Sequence, residues 1–258
     1  MDNYFVSSCK RVKDWICRQF GQKEKKTVHH KKFADGGEVI VWETGRAGEE
    51  AASYENLFLR KEIAGFRTNI RREQSCSIKS LTRDYLYKQL LSSGEYTFDH
   101  MLVIKDPYGE APLTALALFI LEEPACVRVT TKGNLKETDF VTELPKKKEH
   151  RVPILGMYAE KANDIVIEIL DDEGNCVKSH TFTIRTKRLP KSLRNVITVK
   201  KWTDKPAYSN IMINGGVKIH TCVFDIEGKI RYYLSRKPRG YGIFPLSDGH
   251  FCSKDTHQ

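Results

Sequence analysis

Histidine and cysteine are the side chains here best suited to nucleophilic attack, proton transfer or metal binding, and their spacing assigns them none of these roles. The eight histidines are scattered. His29 and His30 lie in a lysine-rich stretch, His100, His150 and His180 in strand-like runs, His220 in a later strand, and His250 and His257 near the end of the sequence. A histidine that attacks or shuttles protons needs an oriented partner. No Ser-His-Asp grouping and no pair of carboxylates stands out, so each histidine reads as a surface or strand residue. The seven cysteines, Cys9, Cys17, Cys76, Cys126, Cys176, Cys222 and Cys252, are odd in number and widely spaced. There is no C-x-x-C, and no Cys/His cluster has zinc-finger spacing. They read as reduced thiols, most of them small buried fillers. A disulfide among the later ones stays open, because sequence fixes no distances. No catalytic residue, metal ligand or cofactor is assigned.

Charge narrows the partners. The chain of 258 residues carries a net charge of +10, and Lys10, Arg11, Lys13, Arg18, Lys23, Lys25, Lys26, Lys31 and Lys32 concentrate it near the front. That run reads as a solvated charged tail. Nucleic acid is not the expected partner, since no aromatic-studded basic sheet or recognition helix appears. No apolar run is long enough to span a membrane, and the N-terminus has no apolar core of a secretory signal. The expected location is cytoplasmic.

The elements that would position these residues follow from periodicity. Phe5, Cys9, Val12, Trp15, Ile16 and Phe20 recur at helical steps, predicting a basic amphipathic helix over 4–20. Packing of that stripe on this protein or a subunit is favoured over contact with a membrane surface. Gln22–Lys32 is predicted to be a charged linker. A short strand is predicted over 38–42, then helices over 49–72 (Leu57, Leu59, Ile63 and Phe66 buried) and 81–91. Ser80 or Thr82 would cap the second helix, and Ser92-Ser93-Gly94 would end it. After Gly94 the period becomes two. Strands are expected at Tyr96–Ile104, Thr114–Leu121, Ala125–Thr131, His150–Ile154, Ile165–Leu170 and Val177–Thr186, separated by Gly, Pro, Asp and Asn turns. This is the pattern of an immunoglobulin-like β-sandwich. Residues 187–206 read as a basic connector.

From Ile211 onward the strands Ile219–Asp225, Ile230–Leu234, Tyr241–Pro245 and one starting at His250 resemble a propeller hairpin and its continuation. A propeller needs about four to eight blades, and this stretch has room for about one. The arithmetic implies an incomplete chain, or one that takes its missing strands from elsewhere. Apolar positions such as Ile219, Val223, Ile230, Tyr232, Ile243 and Phe244 would then have no neighbour within the chain and would drive self-association. The expected fold is mainly β. A helical N-terminal extension (1–94) precedes an immunoglobulin-like sandwich (95–188) and an incomplete β-propeller (207–258).

Three blocks carry a family resemblance. Asp106-Pro107-Tyr108-Gly109-Glu110-Ala111-Pro112-Leu113-Thr114-Ala115-Leu116 resembles the block that opens the immunoglobulin-like domain of bacterial aryl-sulfate sulfotransferases. His150-Arg151-Val152-Pro153-Ile154-Leu155-Gly156-Met157-Tyr158-Ala159, followed by Asn163-Asp164-Ile165-Val166, is similar to a second block of that family. Tyr232-Tyr233-Leu234 and Gly240 to Gly249 look like its first propeller blade. Within these blocks Pro107, Tyr108, Gly109, Ala111, Pro112, Leu113, Thr114, Ala115, Pro153, Gly156 and Tyr158 are expected to act structurally. Prolines fix φ, glycines take turn positions, and the tyrosines supply an apolar ring with a polar tip. The resemblance implies a ping-pong transfer of a sulfuryl group from an aryl sulfate to a phenol through a sulfo-histidine in the propeller. It places the catalytic residues in later blades, so this chain is expected to be inactive alone. Tyr241 is the one substrate-side candidate. The family is often exported. A non-catalytic immunoglobulin-like binding or assembly module is the alternative.

Overall fold

The computed structural model describes residues 28–33, 36–55, 72–200, 210–213, 220–235, 243–245 and 251–253. The expected helix over 4–20, most of the Gln22–Lys32 stretch, Leu57, Leu59, Ile63, Phe66 and Tyr241 lie outside these residues.

The chain is mainly β and sandwich-like. One seven-stranded sheet dominates: β1 (Val28–Lys32), β2 (Glu38–Trp42), β3 (His100–Lys105), β4 (Ala115–Thr131), β5 (Phe140–Ile154), β6 (Ala162–Leu170) and β7 (Cys176–Arg185). The pairing order is β1-β2-β3-β4-β6-β7, with β5 along the other side of β4. Among the described strands only β2 and β3 pair in parallel. The chain between them carries α1 (Thr44–Ala52) and α2 (Arg72–Ser92).

β4 and β5 run the length of the sheet and change partner at an irregularity. Residues 115–118 of β4 pair with β3, and 126–131 pair with β6. Between Ile120 and Ala125 the β4–β5 register shifts. Pro124, which has no N–H to donate, sits in that gap. The sheet folds there, and its two halves face each other over one core that includes Val39, Val103, Phe119, Val129, Ile154, Ile167 and Phe182. The opposite face of the β2–β4 half is also covered. Ile40, Trp42, Leu102, Ile104, Leu116 and Leu118 pack with Ala47 and Ala51 of α1 and Leu86, Tyr87 and Leu91 of α2. Burial on both faces explains why these strands read as unbroken apolar runs.

Several expectations are corrected. Val28–Lys32 is a strand, not part of a linker, because it pairs throughout with β2. The first helix starts at Thr44, and the second begins at Arg72, well before Leu81. Thr82 does not cap it, since its hydroxyl donates back to Lys79 O. Gly94, at φ +73°, follows the helix end as expected of a C-terminal glycine. Tyr96–Asp99 turns rather than extends: Thr97 O and Oγ1 both accept from His100 N, and the strand starts at His100. The two strands expected at 114–121 and 125–131 are one. The strand expected at 150 begins at Phe140, because the Lys146–Glu149 run lies along a strand paired on one side only among the described residues.

The connector is partly structured. A 3-10 turn at Lys191–Leu193 buries Leu193 in the main core, and Ile197 packs against it. Beyond it, β8 (Asn210–Ile213), β9 (Cys222–Asp225) and β10 (Ile230–Tyr233) form a small antiparallel sheet, and β11 (Ile243–Pro245) pairs with β12 (Phe251–Ser253). Cys222, Phe224, Ile230 and Tyr233 belong to the same core as the sandwich. Of the positions expected to have no neighbour within the chain, Ile230 therefore has one, Val223 and Tyr232 are half-buried, and Ile219 and the side chains of Ile243 and Phe244 lie outside the described residues. Cys222 is a buried filler whose thiol is pushed up by burial, whereas Cys176 is exposed and Cys126 half-buried. Among the described residues no helix is long and apolar enough to cross a membrane.

Candidate functional site

The first block forms a tight turn between β3 and β4. Asp106 takes φ +44°, its Oδ1 accepts from Ala111 N at 2.9 Å, and Gly109 at φ +75° donates to Asp106 O. Ala111 O accepts from the Thr114 hydroxyl at 2.8 Å and from its backbone N–H, so Pro112-Leu113 turn the chain and Leu113 and Ala115 enter the core. Burial pushes the Asp106 carboxyl up. Pro107 O accepts from Arg83 Nη1 at 2.8 Å and from the Tyr87 hydroxyl, both on α2. Tyr108, partly exposed, donates to Asp84 Oδ1 at 2.6 Å, and Arg151 of β5 donates to the same oxygen. Burial and that carboxylate push the Tyr108 phenol up to about 12. This block fastens helix α2 to the sandwich.

The second block starts in β5 alongside the first, Ile154 pairing with Ala115, and continues beyond the strand. Pro153 sits within β5, opposite Leu116. Gly156 adopts φ +74° with its Cα against Phe140: an added Cβ would lie 2.6 Å from that ring. Asn163 holds the Tyr158 backbone from both sides, its Oδ1 accepting from Tyr158 N at 2.7 Å and its Nδ2 donating to Tyr158 O at 3.0 Å. The Tyr158 hydroxyl donates to Asp225 Oδ2 at 3.0 Å and accepts from Asn134 N at 3.1 Å. Burial pushes its phenol up.

Into this block reaches Arg231 of β10, 0% exposed. Its Nε donates to Gly156 O at 2.6 Å, and its Nη1 donates to Thr138 O at 2.8 Å, to the Tyr158 hydroxyl at 3.0 Å and to Asp225 Oδ2 at 3.1 Å. The guanidinium lies 3.9 Å from the Tyr158 ring centroid, and Lys161 Nζ also approaches that ring at 4.7 Å. An unpaired arginine would be very costly at such burial, so the carboxylate and stacked ring are conditions of its being there.

The expected motif residues thus fall into two clusters, linked where β5 pairs with β4 and where Arg151 meets Tyr108, and the second of them meets Arg231. Sequence reasoning missed Arg231, the buried role of Asp225, and Thr138. The one available signal was a charged residue inside the apolar run Ile230-Arg231-Tyr232-Tyr233. Of the histidines among the described residues, three are buried and engaged structurally, two of them within strands. His150 stacks on Phe119 and bonds Lys147 O at 2.8 Å, with burial holding its pKa down. His180 lies between Phe33 and Phe98, with Nε2 at 2.8 Å from Asp99 Oδ1. His220 precedes β9, and its Nδ1 lies 2.8 Å from Leu234 O. Among the described residues no group of three or more His, Cys, Asp or Glu is placed to hold a metal ion.

Fold and clusters together define an immunoglobulin-like sandwich, helix-backed on one face and joined to a β-hairpin through a buried arginine. Residues 102–187, about a third of the chain, match the family model of the arylsulfotransferase Ig-like domain. No curated protein matches the chain.

Proposed function

We propose that this chain serves sulfuryl transfer between an aryl sulfate and a phenol as the leading part of an arylsulfotransferase. In this role the Ig-like domain seats the first strands of a catalytic propeller and supplies no reacting group itself. The observation that carries the proposal is the insertion of Arg231, from the hairpin after the matched domain, against Gly156 and Tyr158 within it. Hairpin β9–β10 is then the start of a blade, and the family's sulfo-histidine belongs to propeller strands outside the clusters described above. Purified chain should release no phenol from a chromogenic aryl sulfate above a boiled control, with or without an acceptor phenol. Co-expression with the remaining blades of a family propeller should give transfer. Turnover by the chain alone, abolished by substituting one of its histidines, would overturn the seating role.

The second reading, a non-catalytic binding or assembly module, is favoured by one observation. The hairpin completes the sandwich core from within the chain. Failure of the blades to associate with the chain would decide for it.

A further inference from the structure

The same turn occurs twice, in different surroundings. In Asp171-Asp172-Glu173-Gly174-Asn175, Asp171 Oδ1 accepts from Glu173 N at 2.9 Å and Asn175 N at 2.8 Å, and Gly174 takes φ +85°. In Asp225-Ile226-Glu227-Gly228-Lys229, Asp225 Oδ1 accepts from Glu227 N and Lys229 N, both at 3.0 Å, and Gly228 takes φ +75°. The β6–β7 turn forms in the open without an arginine. In both turns Oδ1 takes the two backbone amides, and the second carboxylate oxygen meets a different donor in each. In Asp171 it meets Asn175 Nδ2 at 3.2 Å, whereas in Asp225 it takes Arg231 and Tyr158.

We propose that Arg231 and Asp225 Oδ2 form a latch that makes hairpin β9–β10 an integral part of the Ig-like domain. The sandwich end built from Thr138, Gly156 and Tyr158 is then a docking surface for this arginine-bearing hairpin of the same chain. The cooperative unit runs to Ser235, well past the end of the family match at 187. Two further contacts fix the hairpin's direction. Asn134 Nδ2 donates to Glu227 at the turn at 3.2 Å, and Ser235 N donates to Glu110 O of the first block at 2.7 Å. The hairpin is thus held at the turn, in the middle and at its exit, and strands leaving it start from a set position.

Amide hydrogen exchange on the full chain tests the latch and does not depend on activity, so it separates this proposal from the sulfotransferase reading. In the unaltered protein the amides of Asp225, Gly228 and Leu234 should open together with those of β4 as denaturant is raised. Arg231→Met should speed hairpin exchange at least about a hundredfold, since it strands a buried carboxylate. Asp171→Asn, at the unlatched twin turn, should leave the hairpin unchanged. Tyr158→Phe, which removes only a hydroxyl, should give a rise of about tenfold and decides the matter if the arginine variant does not fold. Hairpin amides that exchange freely in the unaltered protein, or that respond to neither Arg231→Met nor Tyr158→Phe, overturn the proposal.

Discussion

Two glycines in similar backbone conformations stand in opposite surroundings. Gly156 has φ +74° and Phe140 where a Cβ would go, whereas Gly174 has φ +85° and open space. Both need left-handed backbone, so alanine at either is strained by about 1 kcal/mol. At Gly156 the clash with Phe140 adds to that, and the carbonyl that holds Arg231 moves with it. Gly156→Ala should cost about 2–4 kcal/mol and Gly174→Ala about 1, read as the difference between two thermal midpoints. Asp99 gives a residue-scale pH effect. Lys178 and His180 hydrogen-bond its carboxylate and hold its pKa below the usual value. A lowered folded pKa contributes stability above the unfolded value, near 4, which is lost as pH falls through the folded value. The carboxylate is about half exposed, so the contribution is at most about 1 kcal/mol. Asp99→Asn should lower the midpoint at pH 7 and leave it nearly unchanged near pH 2.5.

At the level of elements, the hairpin and the 3-10 turn complete the core. Leu193, Phe224, Ile230 and Tyr233 are all buried in it. Each large apolar side chain is worth about 1.5–3 kcal/mol when buried. A version ending at Pro190 should therefore melt well below the full chain and bind a hydrophobic dye, the reverse of an independent domain stopping near 188. Alternation made β6 and β7 legible because one of their faces is wet. Unbroken apolar runs marked the β2, β3 and β4 segments, but they could not show that Pro124 interrupts pairing without ending the strand. β1 was unreadable, because Val-His-His-Lys-Lys has no apolar alternation and takes its conformation from the strand beside it. The Lys146–Glu149 stretch hid half of β5 for a related reason, as lysines and prolines suit a strand with an open side.

Across the whole molecule, three tyrosines join the layers. Tyr87 ties α2 to the first block, Tyr108 ties that block to Asp84, and Tyr158 ties the sandwich to the hairpin. Burial raises the pKa of all three. A raised folded pKa gives stability that is full below the unfolded value, near 10, and is lost as pH rises through the folded values. The thermal midpoint should fall as pH rises above about 10, and Tyr158→Phe should reduce that slope. The blocks holding Tyr108 and Tyr158 were legible in the sequence because their Gly and Pro positions dictate local backbone. The partner of the second block was not, since Arg231 lies 75 residues from Gly156 and no local pattern spans that separation. β1 and β7 meet through Lys31 on Thr183 O and through Phe33 stacked on His180 and tilted against Phe182, not through a backbone ladder. Among the described residues that line is a seam with no backbone-to-backbone rung. Under mechanical load it can part without breaking one rung of the sheet, and it can shut again without searching for register.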